Sequence, residues 1–169
     1  KTAALTLSAE LRNSADHPVT ALVRAEVAGE KLQQSVELAA NETKIVRFAP
    51  DQFAQLKLNH PRLWWPYQMG EPYLYTAKFR VETGKEVSDS ASLDFGIREV
   101  SSELTDKGHR LFKVNSKRVL IRGAAWAPDM LLRWSSKKVD ADLEYTKHMG
   151  LNAIRLEGKI DRQEFFDKT

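Results

Sequence analysis

The sequence predicts a mainly β protein: an antiparallel β-sandwich, immunoglobulin-like in architecture, followed by a parallel βαβ unit of the kind that opens a (β/α)8 barrel. Three observations carry that prediction. The first stretch of about 95 residues alternates apolar and polar side chains with period two, between regular turn signals. From Arg98 that pattern gives way, and residues 135–150 place their apolar positions at helical spacing. A short apolar run, "LNAIRL", then follows the helix almost without a connection.

The elements follow in order. In "ALTLSAELRN" Leu5, Leu7, Ala9 and Leu11 share one face, which predicts a half-buried strand. "SADHP" breaks it and "VTALVRAEV" repeats the alternation. Gly29-Glu30 turns the chain into "KLQQSVEL", Asn41 opens the turn before "TKIVRFA", and "FAQLKL" reads as a weaker strand. After a proline-rich stretch come "YLYTAKFRVET" and "EVSDSASLDF", parted by Gly84-Lys85. Seven short strands with regular turns predict a sandwich. The Cys…Trp…Cys spacing of immunoglobulin domains is absent, so the likeness is one of architecture.

Beyond Arg98, "RLFKVNSKRVLIRG" predicts a hairpin around Asn115-Ser116-Lys117, with Ser116 where glycine is expected. "RVLIRGAAW" is apolar enough for a buried strand. In "SSKKVDADLEYTKHMG" Ser135 or Ser136 caps a helix, Val139, Leu143 and Thr146 share its face, and Gly150 ends it. "LNAIRL" predicts the second parallel strand, and Asp161-x-x-Glu164 a capping box for a last helix. The loop after the first strand, Ala127 to Trp134, is long, whereas Gly150-Leu151 alone return to the second. Long loops at the C-terminal ends of strands are where barrel enzymes build their sites. A doubly wound sheet would also give βαβ, but its glycine-rich first turn is missing.

Composition narrows the function classes. The charges, Lys+Arg 26 against Asp+Glu 23, are spread along the chain without a basic block, which speaks against a nucleic-acid partner. No apolar run nears the ~18 residues of a membrane span, so no membrane partner is expected. Cysteine is absent, which excludes thiolate metal sites, and the four histidines lack ligand spacing. Neither a metal nor a cofactor is expected. The chain opens on Lys1 and stops inside an apparent helix, as expected of a piece of a longer protein.

Three stretches in sequence carry a resemblance: "HPRLWWPYQMGEPYLY", "DFGIREV" and "RVLIRGAAWAPD…HMGLNAIRLEG". Together, over about Leu56 to Thr169, they resemble glycoside hydrolase family 2, in its exo-β-D-glucosaminidase (exo-chitosanase) branch. The resemblance implies an immunoglobulin-like sandwich over 1–97 and the start of a truncated (β/α)8 TIM barrel over 98–169. It implies a retaining, exo-acting hydrolase that removes β-linked glucosamine from chitosan oligomers, in a secreted or periplasmic setting. The catalytic carboxylates of the family lie on later barrel strands, so none is expected among these residues and the 169 residues alone are expected to be inactive. The alternative is a β-mannosidase or another family 2 glycosidase, or else a non-catalytic carbohydrate-binding module. A barrel face left without its remaining strands is expected to be covered by another copy or a crystal neighbour.

Four residues form the expected substrate-binding set: Asp129, Arg155, Glu157 and Trp126. The resemblance gives Asp129 a part in holding the 2-ammonium of the sugar; a loop or capping aspartate is the plainer reading. It gives Arg155 the orienting of active-site carboxylates, beside a structural ion pair. In "RLEG", Glu157 stands where related β-mannosidases carry Trp-Gly. Trp126 is either a wall of the sugar pocket or a core residue, and Trp64 and Trp65 are read as packing sandwich against barrel.

Overall fold

The computed structural model describes residues 1–169, which divide into two units: Lys1–Trp64 with Pro72–Ile97, and Trp65–Glu71 with Arg98–Thr169. The division departs from a single cut at 97/98 in one place, the seven residues Trp65–Glu71.

The first unit holds eight strands. They are β1 (Thr2–Ala4), β2 (Leu7–Arg12), β3 (Val19–Val27), β4 (Glu30–Leu38), β5 (Thr43–Phe48), β6 (Lys57–Asn59), β7 (Tyr75–Thr83) and β8 (Glu86–Phe95). All pairings are antiparallel: β2 with β5, β1 with β6, and a four-stranded sheet in the order β4-β3-β7-β8. Alternation decides what faces inward. On β3, Ala21, Val23, Ala25 and Val27 are buried while Thr20, Arg24 and Glu26 point out. Val23, Ala25 and Val27 meet Leu7 and Leu11 of β2, Val46 and Phe48 of β5, Leu32 and Leu38 of β4, and Phe79 of β7 in one core. Phe48 sits at its centre, fully buried against the rings of Phe53 and Phe79. Burying a side chain of that size contributes about 1.5–3 kcal/mol. Asn13 is the buried polar exception: its amide donates to the carbonyls of His17 and Ala39 and its oxygen accepts from the N–H of Ala15, tying the β2–β3 and β4–β5 turns together.

Two readings of this unit need correction. "ALTLSAELRN" is two strands, because the chain breaks at Leu5, whose N–H turns to the carbonyl of Leu56. "FAQLKL" is half a 3-10 turn, Ala54–Leu56, that drops Leu56 into the core, and only its last two residues belong to a strand, the short β6. At the end of the unit, the N–H of Trp64 donates to Ile97, and a Cβ on Gly96 would stand 2.7 Å from that of Trp64.

In the second unit β9 (Val100–Leu104), β10 (Arg110–Val114) and β11 (Lys117–Val119) form an antiparallel sheet. β12 (Gly123–Trp126) and β13 (Ala153–Leu156) pair in parallel, joined through helix α1 (Ser136–His148); α2 (Gln163–Lys168) follows. The Ser135 hydroxyl caps α1 by accepting the N–H of Lys138. The helix closes in a Schellman arrangement: Gly150, at φ +72°, donates to Lys147, and Leu151 donates to Thr146. Val139, Leu143 and Phe165 pack beneath Trp126, Trp134, Ile154 and Leu156 as a second, smaller core.

Three expectations are corrected here, and one strand, β9, is not foreseen from the sequence. "RVLIRGAAW" is not one strand; it leaves the β9–β11 sheet at Val119 and enters β12 at Gly123. The hairpin turn is Asn115-Ser116, both at positive φ (51° and 69°), with Lys117 already paired to Val114. β9 carries no alternation to read, because every residue in it is exposed. The capping box of α2 does not form: Arg162 is the cap, and Asp161 accepts only the N–H of Arg162.

Candidate functional site

The residues singled out in the sequence gather around the C-terminal ends of β12 and β13. Strand register decides which side of the sheet each one serves. Trp126 pairs with Leu156, and Ala125 with Arg155, so Trp126 and Arg155 lie on opposite faces.

Trp126 is on the helix side. Its ring meets Phe165 at 4.9 Å between centroids and belongs to the second core. Its indole Nε1 is buried without a hydrogen-bond partner. Of the two readings left open, this placement suits the core residue.

Arg155 and Glu157 share the other face and form an ion pair with each other. Both are exposed, so water screens the pair and its contribution to stability is small. Glu157 is held at the strand tip by its backbone, whose N–H donates to the carbonyl of Trp126. The tip therefore presents a guanidinium and a carboxylate side by side.

Asp129 lies in the β12–α1 loop. Its Oδ1 accepts from the N–H of Leu131 (2.9 Å) and from Nε of Arg133 (3.2 Å), and its Oδ2 accepts from Nη2 of Arg133 (3.1 Å). A further bond from the N–H of Leu132 to the Asp129 carbonyl closes the turn, with Leu132 at φ +55°. The Arg133 guanidinium, and after it the Leu131 N–H, hold the Asp129 carboxyl below its usual range. Asp129 is thus a firmly ionised carboxylate whose charge is already met by an arginine. Beside it a cavity of about 50 Å³, lined by Trp126, Asp129, Arg133, Trp134 and Arg162, has room for one or two waters at ~30 Å³ each.

Three residues escaped the sequence reading. Arg133 could have been found from its i+4 spacing to Asp129. Asn152 is a polar residue opening an apolar run. Its Oδ1 accepts from the N–H of Arg122 and its Nδ2 donates to the carbonyl of Leu120, so it extends the pairing of β12 and β13 by a side chain. Gln68, in the Trp65–Glu71 segment, reaches the same place from 84 residues away. Nothing in its own neighbourhood in the sequence signals that.

Comparison with known proteins agrees with this architecture. Residues 1–98 match the family described as Glycosyl hydrolases family 2. An exo-β-D-glucosaminidase of Streptomyces avermitilis is 45% identical over 166 residues, which cover 98% of this chain and 18% of that enzyme. Another of that name, from Amycolatopsis orientalis, is 39% identical over 96% of this chain and 15% of its own length. Among solved structures, a variant of the Amycolatopsis orientalis exo-chitosanase CsxA in complex with PNP-β-D-glucosamine superposes with a TM-score of 0.88. The two are 38% identical across 99% of this chain and 19% of that one. The chain belongs to glycosyl hydrolase family 2. It spans less than a fifth of the length of the relatives it matches.

Proposed function

We propose that this chain is the sandwich and the opening βαβ unit of a (β/α)8-barrel glycosidase that removes β-linked glucosamine from chitosan-type oligomers. The observation that carries the reading is 45% identity across nearly the whole chain to an enzyme named for that activity. The placing of Arg155 near the end of β13, and of Asp129 and Glu157 just beyond β12 and β13, agrees with it, since barrel enzymes work at that end. On this reading Asp129 supplies negative charge for a cationic sugar, and the Arg155–Glu157 pair lies at the rim of the pocket. Trp126 backs them from the helix side.

The chemistry assigned to the parent is retaining hydrolysis, with an acid/base and a nucleophilic carboxyl group ~5 Å apart. The acid must hold its proton near neutral pH, which calls for a raised pKa. Asp129 is shifted the opposite way by Arg133. Glu157 is engaged by Arg155. We therefore assign both catalytic carboxylates to parts of the parent beyond residue 169, and assign residues 1–169 to support and substrate recognition. The parent is placed outside the cytoplasm, where a polymeric substrate is met; assay of cell fractions tests that placement.

The experiment is to compare p-nitrophenyl β-D-glucosaminide and β-D-mannoside as substrates for the full-length enzyme. Hydrolysis of the glucosaminide with little of the mannoside is expected, and the reverse preference overturns the reading. The isolated 169 residues are expected to give no turnover above a denatured control.

A further inference from the structure

At the N-terminal ends of β12 and β13, opposite the proposed chemistry, one side chain collects an unusual number of bonds. Gln68 donates through Nε2 to the carbonyl of Gly150 (3.0 Å) and to the Tyr67 hydroxyl oxygen (2.8 Å). Its Oε1 accepts from Nη2 of Arg122 (2.7 Å) and from Nδ2 of Asn152 (3.4 Å). Next to it the Tyr67 hydroxyl donates to the carbonyl of Leu151 (2.8 Å). Arg122 immediately precedes β12, and Gly150–Asn152 immediately precede β13. One amide therefore grips the entrance of both strands.

The strands need such a grip. Each has four residues, and their pairing runs only from Gly123↔Ala153 to Trp126↔Leu156. A slip of one residue would carry Arg155 ~3.3 Å along the strand and turn it to the other face. Far smaller displacements matter for chemistry, since ~1 Å of misplacement can cost about a hundredfold in rate.

We propose that Gln68 is a positioning residue: by holding the starts of β12 and β13 in register, it sets where Arg155 and Glu157 stand at the opposite end. The proposal rests on the reading that those two residues flank the substrate site. Gln68 itself stays away from the substrate. Its effect travels along a short strand pair whose entrance it holds together with Asn152.

The test uses the full-length enzyme with p-nitrophenyl β-D-glucosaminide, and measures kcat, KM and thermal unfolding together. Gln68→Ala is expected to lower kcat about five- to fiftyfold while KM changes less than about threefold. Gln68→Glu keeps an oxygen for Arg122 and Asn152 but sets a second oxygen against the Gly150 carbonyl, so it is expected to recover only part of the loss. Tyr67→Phe removes the hydroxyl that bonds Leu151 and Gln68 but leaves Gln68 its contacts to Gly150, Arg122 and Asn152, and should fall between. A lower melting temperature with unchanged kcat in Gln68→Ala, or a Gln68→Glu as slow as Gln68→Ala, overturns the proposal. Should Gln68→Ala fail to fold, unchanged kcat in both Tyr67→Phe and Gln68→Glu overturns it, and a graded loss supports it. Arg155→Lys separates this from the reading beneath it. If Arg155→Lys lowers kcat and Gln68→Ala does not, only the positioning role fails. If Arg155→Lys leaves kcat unchanged, the assignment of the strand tip fails and takes the positioning role with it.

Discussion

At the residue scale the sharpest question is what Asp129 does with its charge. In this structure Arg133 neutralises it, yet that arginine is largely exposed and its ion pair is of the weak surface kind. On the proposed reading, a substrate ammonium would replace the guanidinium at little cost. Asp129→Asn keeps an oxygen for the N–H of Leu131 and removes the charge. A hydrogen bond to a charged group contributes about 1.5–3 kcal/mol, so kcat/KM of the full-length enzyme on a glucosaminide should fall roughly ten- to a hundredfold. Activity on a neutral glucoside should fall much less; equal losses on both sugars would return Asp129 to the role of a loop residue. The lowered pKa gives a second measurement. Because the folded value lies below the unfolded one of about 3.9, the stabilisation is present above about pH 4. It is lost as pH falls through the folded value. Arg133→Ala should move the Asp129 titration upward in a carboxyl NMR experiment and flatten that acid limb.

Elements were legible wherever one face is buried. β2 to β5, β7 and α1 each hide one side of an alternating or helical pattern, and the pattern is in the sequence. β9 hides neither side, so only its pairing with β10 makes it a strand. "RVLIRGAAW" is apolar throughout and conceals the point where the chain changes sheets. That point becomes visible at Gly123, where a Cβ would stand 2.6 Å from the carbonyl oxygen of Ala153. Gly123→Ala should cost about 1–3 kcal/mol through overpacking, read as a lower melting temperature. The β10–β11 turn offers the opposite change. Asn115 and Ser116 both adopt positive φ, the geometry of a type I′ turn, in which glycine is preferred at the second position. Ser116→Gly should stabilise by up to about 1 kcal/mol. The candidate site was readable to a similar degree: polar residues at strand ends declare themselves. The face that Trp126 occupies depends on register, and the strand-entrance partners of Gln68 lie 54 to 84 residues away.

On the scale of the whole molecule, the two units are unequally supplied with core. The first buries residues of the β2–β5 pair and of the four-stranded sheet around Phe48, whereas the second is organised around Val139, Leu143 and Phe165. Most of the large exposed apolar side chains, Leu120, Met130, Leu131 and Ile160 among them, belong to the second unit. Unfolding of residues 1–169 is therefore expected to depart from two-state behaviour. Amide hydrogen exchange should find β3, β5 and β7 protected long after β12 and β13 have exchanged. Uniform protection across both units would contradict this. The same exposed surface leads us to expect self-association of the isolated chain, visible as a concentration-dependent mass in sedimentation.

The seven residues Trp65–Glu71 bear on how the gene could be rearranged. They are encoded between β6 and β7, inside the sandwich, yet their side chains bind Arg122 and the Gly150–Asn152 turn. A chimaera that exchanged everything from Arg98 onward with a relative would keep the old Tyr67 and Gln68 against a new partner. Recombination at that boundary is tolerated only where both parents match at the two distant places at once. A swap that carries residues 65–71 along with the later half is expected to yield soluble, active enzyme more often than one cut at Arg98. Counting active clones in the two libraries would show whether this short stretch is inherited with the sandwich that encodes it or with the strands it holds.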